Sequence, residues 1–270
     1  MHKKVIFLVH GMWAGNWCFE KLQKYLEHHG FIVHAINLLY HDSLLPHKKL
    51  GTTGILDYVE DMEQQIRAGR QYHGITDTKF YILGHSMGGL IAQMIVCRNP
   101  QWFESAICLT PAAPAGIFSL SRSVIKSFLG PMTTPTFWKK PNKLSKEAAI
   151  YSMLHLLSKE RQNELIEKMG YESGRVCFEI GFWFLFKEPP TRLKNPKNVH
   201  FPILFIGGED DRITPINVVM ENAKLFPQAQ TLPMSYTCHY DVLEDEYIFQ
   251  YILLFLDHSH DPTPHKKTAP

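Results

Sequence analysis

The sequence predicts an α/β fold: a doubly wound, mostly parallel sheet with an inserted helical cap. Three observations lead there. Short runs rich in Val, Ile, Leu and Phe lack polar alternation, as strands covered on both faces do. These runs alternate with segments of helical periodicity, the order that builds right-handed strand–helix–strand crossovers. Between Pro111 and His200 the alternation stops, and roughly ninety residues are too many for a structureless connection in a compact domain.

In chain order, strands are expected at Val5–Val9, Phe31–Ile36, Lys79–Leu83, Ser105–Leu109, Ile203–Ile206 and Thr231–Pro233. The first ends at His10-Gly11, where the apolar run stops. Helices are expected between them at Trp17–His29, Ile55–Arg70, Met87–Arg98, Pro215–Leu225 and Asp241–Asp257. Pro215 suits a first helical turn, with Thr214 as its cap. In the interrupting stretch, helical periodicity recurs at Leu120–Leu129, Ser145–Leu157, Glu160–Met169 and Glu172–Phe186, and no strand is expected. The division that follows is a core of residues 1–110 and 201–257, a helical cap of residues 111–200, and a polar, flexible tail of residues 258–270.

Composition excludes several classes. Of the 270 residues 45% are hydrophobic and 20% charged, which excludes wholesale disorder. Lys and Arg number 28 against 26 Asp and Glu, a net +2 that argues for neither nucleic acid nor an anionic membrane as partner. Five scattered cysteines without a C-x-x-C pair indicate neither a disulfide framework nor a zinc knuckle. No H-E-x-x-H occurs and no G-x-G-x-x-G follows a strand, so no metal and no cofactor are expected. The longest apolar stretches, Phe178–Phe186 and Tyr247–Leu256, are about half a membrane span, so no integral membrane segment is expected. Met1–Lys4 with Val5–Val9 imitates a signal peptide, but its apolar run is too short. A cytoplasmic location is the expectation, and the oligomeric state stays open.

The chemistry concentrates in Tyr81-Ile82-Leu83-Gly84-His85-Ser86-Met87-Gly88-Gly89-Leu90, a G-x-S-x-G between a strand pattern and a helix pattern. The motif alone is weak; its context makes it specific. A sharp turn there lifts the Ser86 hydroxyl clear of the sheet, and Gly84 and Gly88 leave room where strand and helix converge. The following helix directs N–H groups and its positive end at an anion beside Ser86.

This stretch resembles the α/β-hydrolase family, and in particular its serine esterase and lipase-like members with a helical cap. Three further places carry the resemblance. Leu8-Val9-His10-Gly11-Met12-Trp13 is similar to the family's strand-end H-G turn, which implies backbone N–H donors at Met12 and Met87 for an oxyanion. The His10 side chain itself reads as structural, bonded to nearby backbone. Ile206-Gly207-Gly208-Glu209-Asp210-Asp211-Arg212-Ile213-Thr214-Pro215 is similar to the family's acid loop G-x-x-D-x-x-x-P, and counting back from Pro215 favours Asp211. Ser235-Tyr236-Thr237-Cys238-His239-Tyr240-Asp241 follows the last strand, and the order Ser86, Asp211, His239 matches the family's nucleophile, acid and base. Two departures stand out. Cys238 occupies a place that is often Gly, and Asn37–Asp42 replaces the D-x-P-G-x-G turn of many relatives.

Aromatics are dense from Phe178 to Phe186, with Phe128, Phe137, Trp138, Met153 and Leu157 added. Most read as packing, and a subset as the lining of an apolar tunnel above Ser86, with Trp13, His85, Phe182 and Trp183 as pocket candidates. No basic cluster awaits a phosphate. The implied partner is a small apolar ester-like substrate: a carboxylic ester, monoacylglycerol, lactone or thioester cleaved through an acyl-enzyme on Ser86. The same triad also serves C–C hydrolases and hydroxynitrile-lyase-like enzymes, and the same fold serves non-catalytic small-molecule receptors.

Overall fold

The chain alternates as expected through β1 (Lys4–Val9), α1 (Glu20–His28), β2 (Phe31–Ile36), α2 (Ile55–Tyr72), β3 (Phe80–His85), α3 (Met87–Arg98) and β4 (Phe103–Leu109). The inserted stretch contributes α4 (Arg122–Met132), β5 (Pro141–Asn142), α5 (Lys146–Ala149), α6 (Lys159–Lys168), β6 (Glu172–Ser173) and α7 (Gly174–Gly181). The chain then returns to the core with β7 (Ile203–Gly208), α8 (Ile216–Ala223), β8 (Ala229–Met234) and α9 (Glu246–His258). This computed structural model describes residues 4–72, 79–119, 122–132 and 135–258, with 129–132 described by their backbone. Most of the tail expected at 258–270 lies outside the described residues.

The main sheet runs β2-β1-β3-β4-β7-β8, and each neighbouring pair is parallel. This is the doubly wound architecture read from the sequence. β1 and β3 are buried almost throughout, which accounts for their unbroken apolar runs. From β1 the chain winds to β2 on one side and to β3 on the other. The winding therefore reverses at β1, and the crevice at such a reversal lies beyond the carboxyl ends of the strands. Val9 pairs with Gly84 across β1 and β3, so the segments after Val9 and after His85 emerge side by side. α3, buried from Met87 to Val96, packs behind them and is apolar around its circumference apart from Gln93.

The insertion departs from the expectation of helices alone. β5 and β6 form a small antiparallel pair, with Asn142 opposite Glu172. Glu172–Phe186 is consequently not one helix. It divides into β6, α7 capped by the Ser173 hydroxyl, and a 3₁₀ turn at Trp183–Leu185. The segment 37–54, irregular in sequence, is what this pair docks upon. Ser173 Oγ donates to the carbonyl of Thr53 at 2.6 Å. A Cβ on Gly51 would stand 2.6 Å from the backbone of Lys140, so contact there is backbone to backbone. Glu179 accepts the Ile55 N–H at 2.8 Å, placing an anion from the insertion at the amino end of α2.

Candidate active site

Ser86 joins β3 to α3 with φ +55° and ψ −121°, a backbone region rarely held by a residue with a side chain. Such strain persists only where neighbours over-determine it. The Ser86 N–H donates to the Leu109 carbonyl at 2.9 Å, and its own carbonyl accepts from Gly89 and Ala112, both at 2.9 Å. A Cβ on Gly84 would meet the Gly88 carbonyl oxygen at 2.1 Å, and one on Gly88 would meet that of Val9 at 2.0 Å. Both glycines are therefore steric requirements of the turn. Gly11 belongs to the same arrangement, since a Cβ there would fall 2.7 Å from Ser86 Cβ. The turn after β1 thus approaches the serine closely.

The last two strands deliver a buried pair. His239 Nδ1 lies 2.7 Å from Asp211 Oδ2, with side-chain exposures of 1% and 0%. Asp211 is held by its own turn: Oδ1 accepts the N–H groups of Ile213 and Thr214, each at 2.8 Å. Thr214 Oγ1 lies 2.8 Å from Oδ2, 3.0 Å from the Thr110 carbonyl and 3.3 Å from His239 Nδ1. The expectation that Thr214 caps a helix is corrected here: α8 begins after Pro215 without a side-chain cap, and the Thr214 hydroxyl serves the carboxylate. The signal available in the sequence was Asp-x-x-Thr, the spacing at which a carboxylate closes on the amides two and three residues ahead.

Neighbouring polar groups take supporting places. His85 Nε2 donates to the His239 carbonyl at 2.9 Å. Burial, with His239 adding, pushes its pKa well below the ordinary histidine value. His10 Nδ1 donates to the Gly11 carbonyl at 2.8 Å while Nε2 accepts the Leu38 N–H at 3.0 Å. Both of its nitrogens engage backbone, and burial with the His41 charge lowers its pKa to about 3. The Cys238 thiol donates to the Met153 carbonyl at 2.9 Å, and burial pushes its pKa up to about 12, too high for a ready thiolate.

Among the described residues, the N–H groups of Met12 and Met87 donate to no protein acceptor. A cavity of about 340 Å³ opens over Ser86, His239 and Thr214. Trp13, His85, Phe182 and Trp183 all line it, as do Met12 and Met87. Phe137 and Trp138 instead pack on Phe178, with ring centroids 6.1 and 5.7 Å away. Among the described residues no three His, Cys, Asp or Glu side chains converge to hold a metal ion, and no helix is long and apolar enough to cross a membrane.

Known proteins resemble this chain in sequence and in fold. A monoglyceride lipase homolog of monkeypox virus is 24% identical over 136 residues, 48% of this chain and 46% of that protein, so the match spans about half of each. A methylesterase from Arabidopsis superposes with a TM-score of 0.70 at 16% identity, covering 94% of this chain and 99% of the other. The monoacylglycerol lipase of Paleococcus ferrophilus gives 0.67 at 20% identity, covering 94% of both. These two establish likeness of fold. A family model described as alpha/beta hydrolase fold matches residues 4–246, nearly the whole chain, and the chain belongs to that family.

Proposed function

We propose that the protein is a serine hydrolase cleaving a carboxylic ester of an apolar acyl group through an acyl-enzyme on Ser86. One observation carries the reading. Ser86 in its strained backbone and His239, paired with the buried Asp211, line one apolar cavity together with Met12 and Met87, whose backbone N–H groups are unengaged. The names of the fold relatives, an esterase and a monoacylglycerol lipase, fit an ester substrate.

The chemistry follows from which atoms are already occupied. Asp211 engages His239 Nδ1, which leaves Nε2 as the nitrogen to take the Ser86 proton. Ser86 Oγ then attacks the ester carbonyl, and the developing oxyanion finds the amides of Met12 and Met87. Each preorganised donor is worth ~3 kcal/mol of transition-state stabilisation. Imidazolium His239 protonates the leaving alkoxide, and water repeats the sequence on the acyl-enzyme. His85, neutral and committed to the His239 carbonyl, steadies the base and does not compete with it. In this reading residues 111–200 act as a cap whose apolar side chains exclude water and receive the acyl chain.

Ser86→Ala tests it. Turnover of p-nitrophenyl butyrate should fall to the uncatalysed rate while the melting temperature is kept. An unchanged rate in a folded variant would refute the assignment. Turnover in oxygen-labelled water separates hydrolysis from a lyase reaction on the same triad, since only hydrolysis places the label in the acid.

A further inference from the structure

The turn that carries Met12 is held from the insertion. Trp13, the next residue, has φ +59° and is 2% exposed, a left-handed backbone for one of the bulkiest side chains. It persists only under contacts that over-determine it, and those contacts come from outside the core. The Gly170 N–H donates to the Trp13 carbonyl at 2.9 Å. The indole Nε1 donates to Asn142 Oδ1 at 3.0 Å, and the Phe128 ring lies 5.8 Å from the indole.

Asn142 is itself oriented from behind. Its Nδ2 donates to the Glu172 carbonyl at 3.2 Å. The Glu172 carboxylate is fully buried and takes three donors: Tyr58 Oη at 2.7 Å, the Ser173 N–H at 2.6 Å and His41 Nε2 at 3.2 Å. His41 Nδ1 reaches the Leu39 carbonyl at 3.0 Å, so both of its ring nitrogens face acceptors. The series therefore runs from the segment 37–54 through β6 and β5 to Trp13.

We infer that Asn142 and Glu172 are positioning residues for the Met12 amide, acting through Trp13. This rests on the reading of Met12 as an oxyanion donor. A core turn with a strained tryptophan has other conformations open to it, and the Asn142 acceptor with the Gly170 donor selects the one that aims the amide. The insertion thereby helps to complete the catalytic centre as well as cover it.

The test uses two ligands of one size. 1-Butaneboronic acid accepts Ser86 Oγ on its empty boron orbital, forming an O–B bond with no leaving group while the serine proton passes to His239. The adduct is tetrahedral and places a boron-bound oxygen toward the amides. Butyramide stays trigonal and neutral. Trp13→Phe removes the indole donor and keeps a ring in the cavity. With p-nitrophenyl butyrate its kcat should fall by about tenfold or more, with KM within about twofold, as expected for a displaced oxyanion donor. Boronate inhibition should weaken by the same factor and butyramide inhibition should not change. Should Trp13→Phe fail to fold, Asn142→Leu and Glu172→Gln carry the same expectation. Boronate inhibition as strong in the variants as in the wild type overturns the proposal, as does parallel weakening of both ligands, which would mark a merely loosened cavity. A wild-type protein that boronate does not inhibit overturns the serine-hydrolase reading and this inference with it.

Discussion

Thr214 Oγ1 and Asp211 Oδ2 lie 2.8 Å apart, and that contact reaches the buried carboxylate from the side away from its backbone amides. Asp211 then has all of its acceptor directions filled by groups within its own turn and by His239. A carboxylate so held has one orientation to offer the imidazole. Thr214→Val keeps the shape and deletes the hydroxyl, whose single proton both Asp211 Oδ2 and the Thr110 carbonyl face. Removing such a bond costs about 1–2 kcal/mol. We expect kcat on p-nitrophenyl butyrate to fall about tenfold with KM little changed, and Thr214→Ser to restore most of it. Equal loss in Val and Ser variants would mean that the methyl group, not the hydroxyl, matters.

The serine turn is a steric device. Its glycines differ from a glycine in open space such as Gly170. Gly88→Ala would push a methyl group to 2.0 Å from the Val9 carbonyl oxygen, into backbone that cannot yield. Gly170→Ala meets nothing nearer than 3.8 Å. The first should cost more than ~3 kcal/mol or prevent folding, the second within about 0.5 kcal/mol of zero. Melting temperatures decide: a Gly88→Ala protein as stable as Gly170→Ala removes the steric argument for the motif.

Much of this was legible in the sequence because the physics involved is local. A strand buried on both faces carries a nearly unbroken apolar run, so β1, β3 and β4 are legible, with boundaries shifted by a residue or two. Gly84 and Gly88 mark a turn where no side chain fits, which singled out Ser86. The His239–Asp211 pair became readable through its order after Ser86 and the trailing Pro215. What escaped had no local signature. A two-residue pairing such as β5–β6 has no periodicity to detect. His41 and Glu172 are 131 positions apart, and a charge destined for burial looks in sequence like one on the surface. A threonine before Pro215 satisfies the helix-cap pattern equally well, so sequence alone does not distinguish that role from the one Thr214 takes beside Asp211.

Acid should destabilise the fold through His10. Its pKa drops from 6.5 to about 3 on folding because burial disfavours the cation, with His41 adding to the effect. The unfolded chain then binds more protons between those values, so stability falls as pH decreases below 6.5 and does not change on this account above it. The slope from one such group is about 1.4 kcal/mol per pH unit. His41 has the opposite sign. Burial would lower its pKa, but the Glu172 charge and hydrogen bond outweigh it and the net shift is upward. Its contribution is present below the unfolded value and is lost as pH rises through the folded one. His10→Gln retains a donor and an acceptor without a proton to gain. Denaturant melts at pH 7, 6 and 5 should give a shallower acid loss for this variant; parallel curves would show that His10 does not carry the effect.

Chain length in the acyl group is the last quantity the cavity constrains. Its volume of about 340 Å³ equals roughly eleven water-sized units of about 30 Å³ each, room for roughly as many non-hydrogen atoms. With the ester group against Ser86, an acyl chain of roughly eight to ten carbons fills it. Each buried methylene contributes about 0.8 kcal/mol, close to fourfold in kcat/KM, until the chain meets the far wall. Beyond that, overpacking reverses the trend. The profile of p-nitrophenyl esters from acetate to myristate should therefore rise and then fall, peaking near octanoate or decanoate. Ile180 lines this cavity, and Ile180→Phe takes up part of the space. The maximum should move two or three carbons shorter, while hydrolysis of the acetate ester, too short to reach the new ring, keeps its wild-type rate. A maximum that does not move would place the acyl chain elsewhere, and a flat profile would mean that this cavity does not receive it.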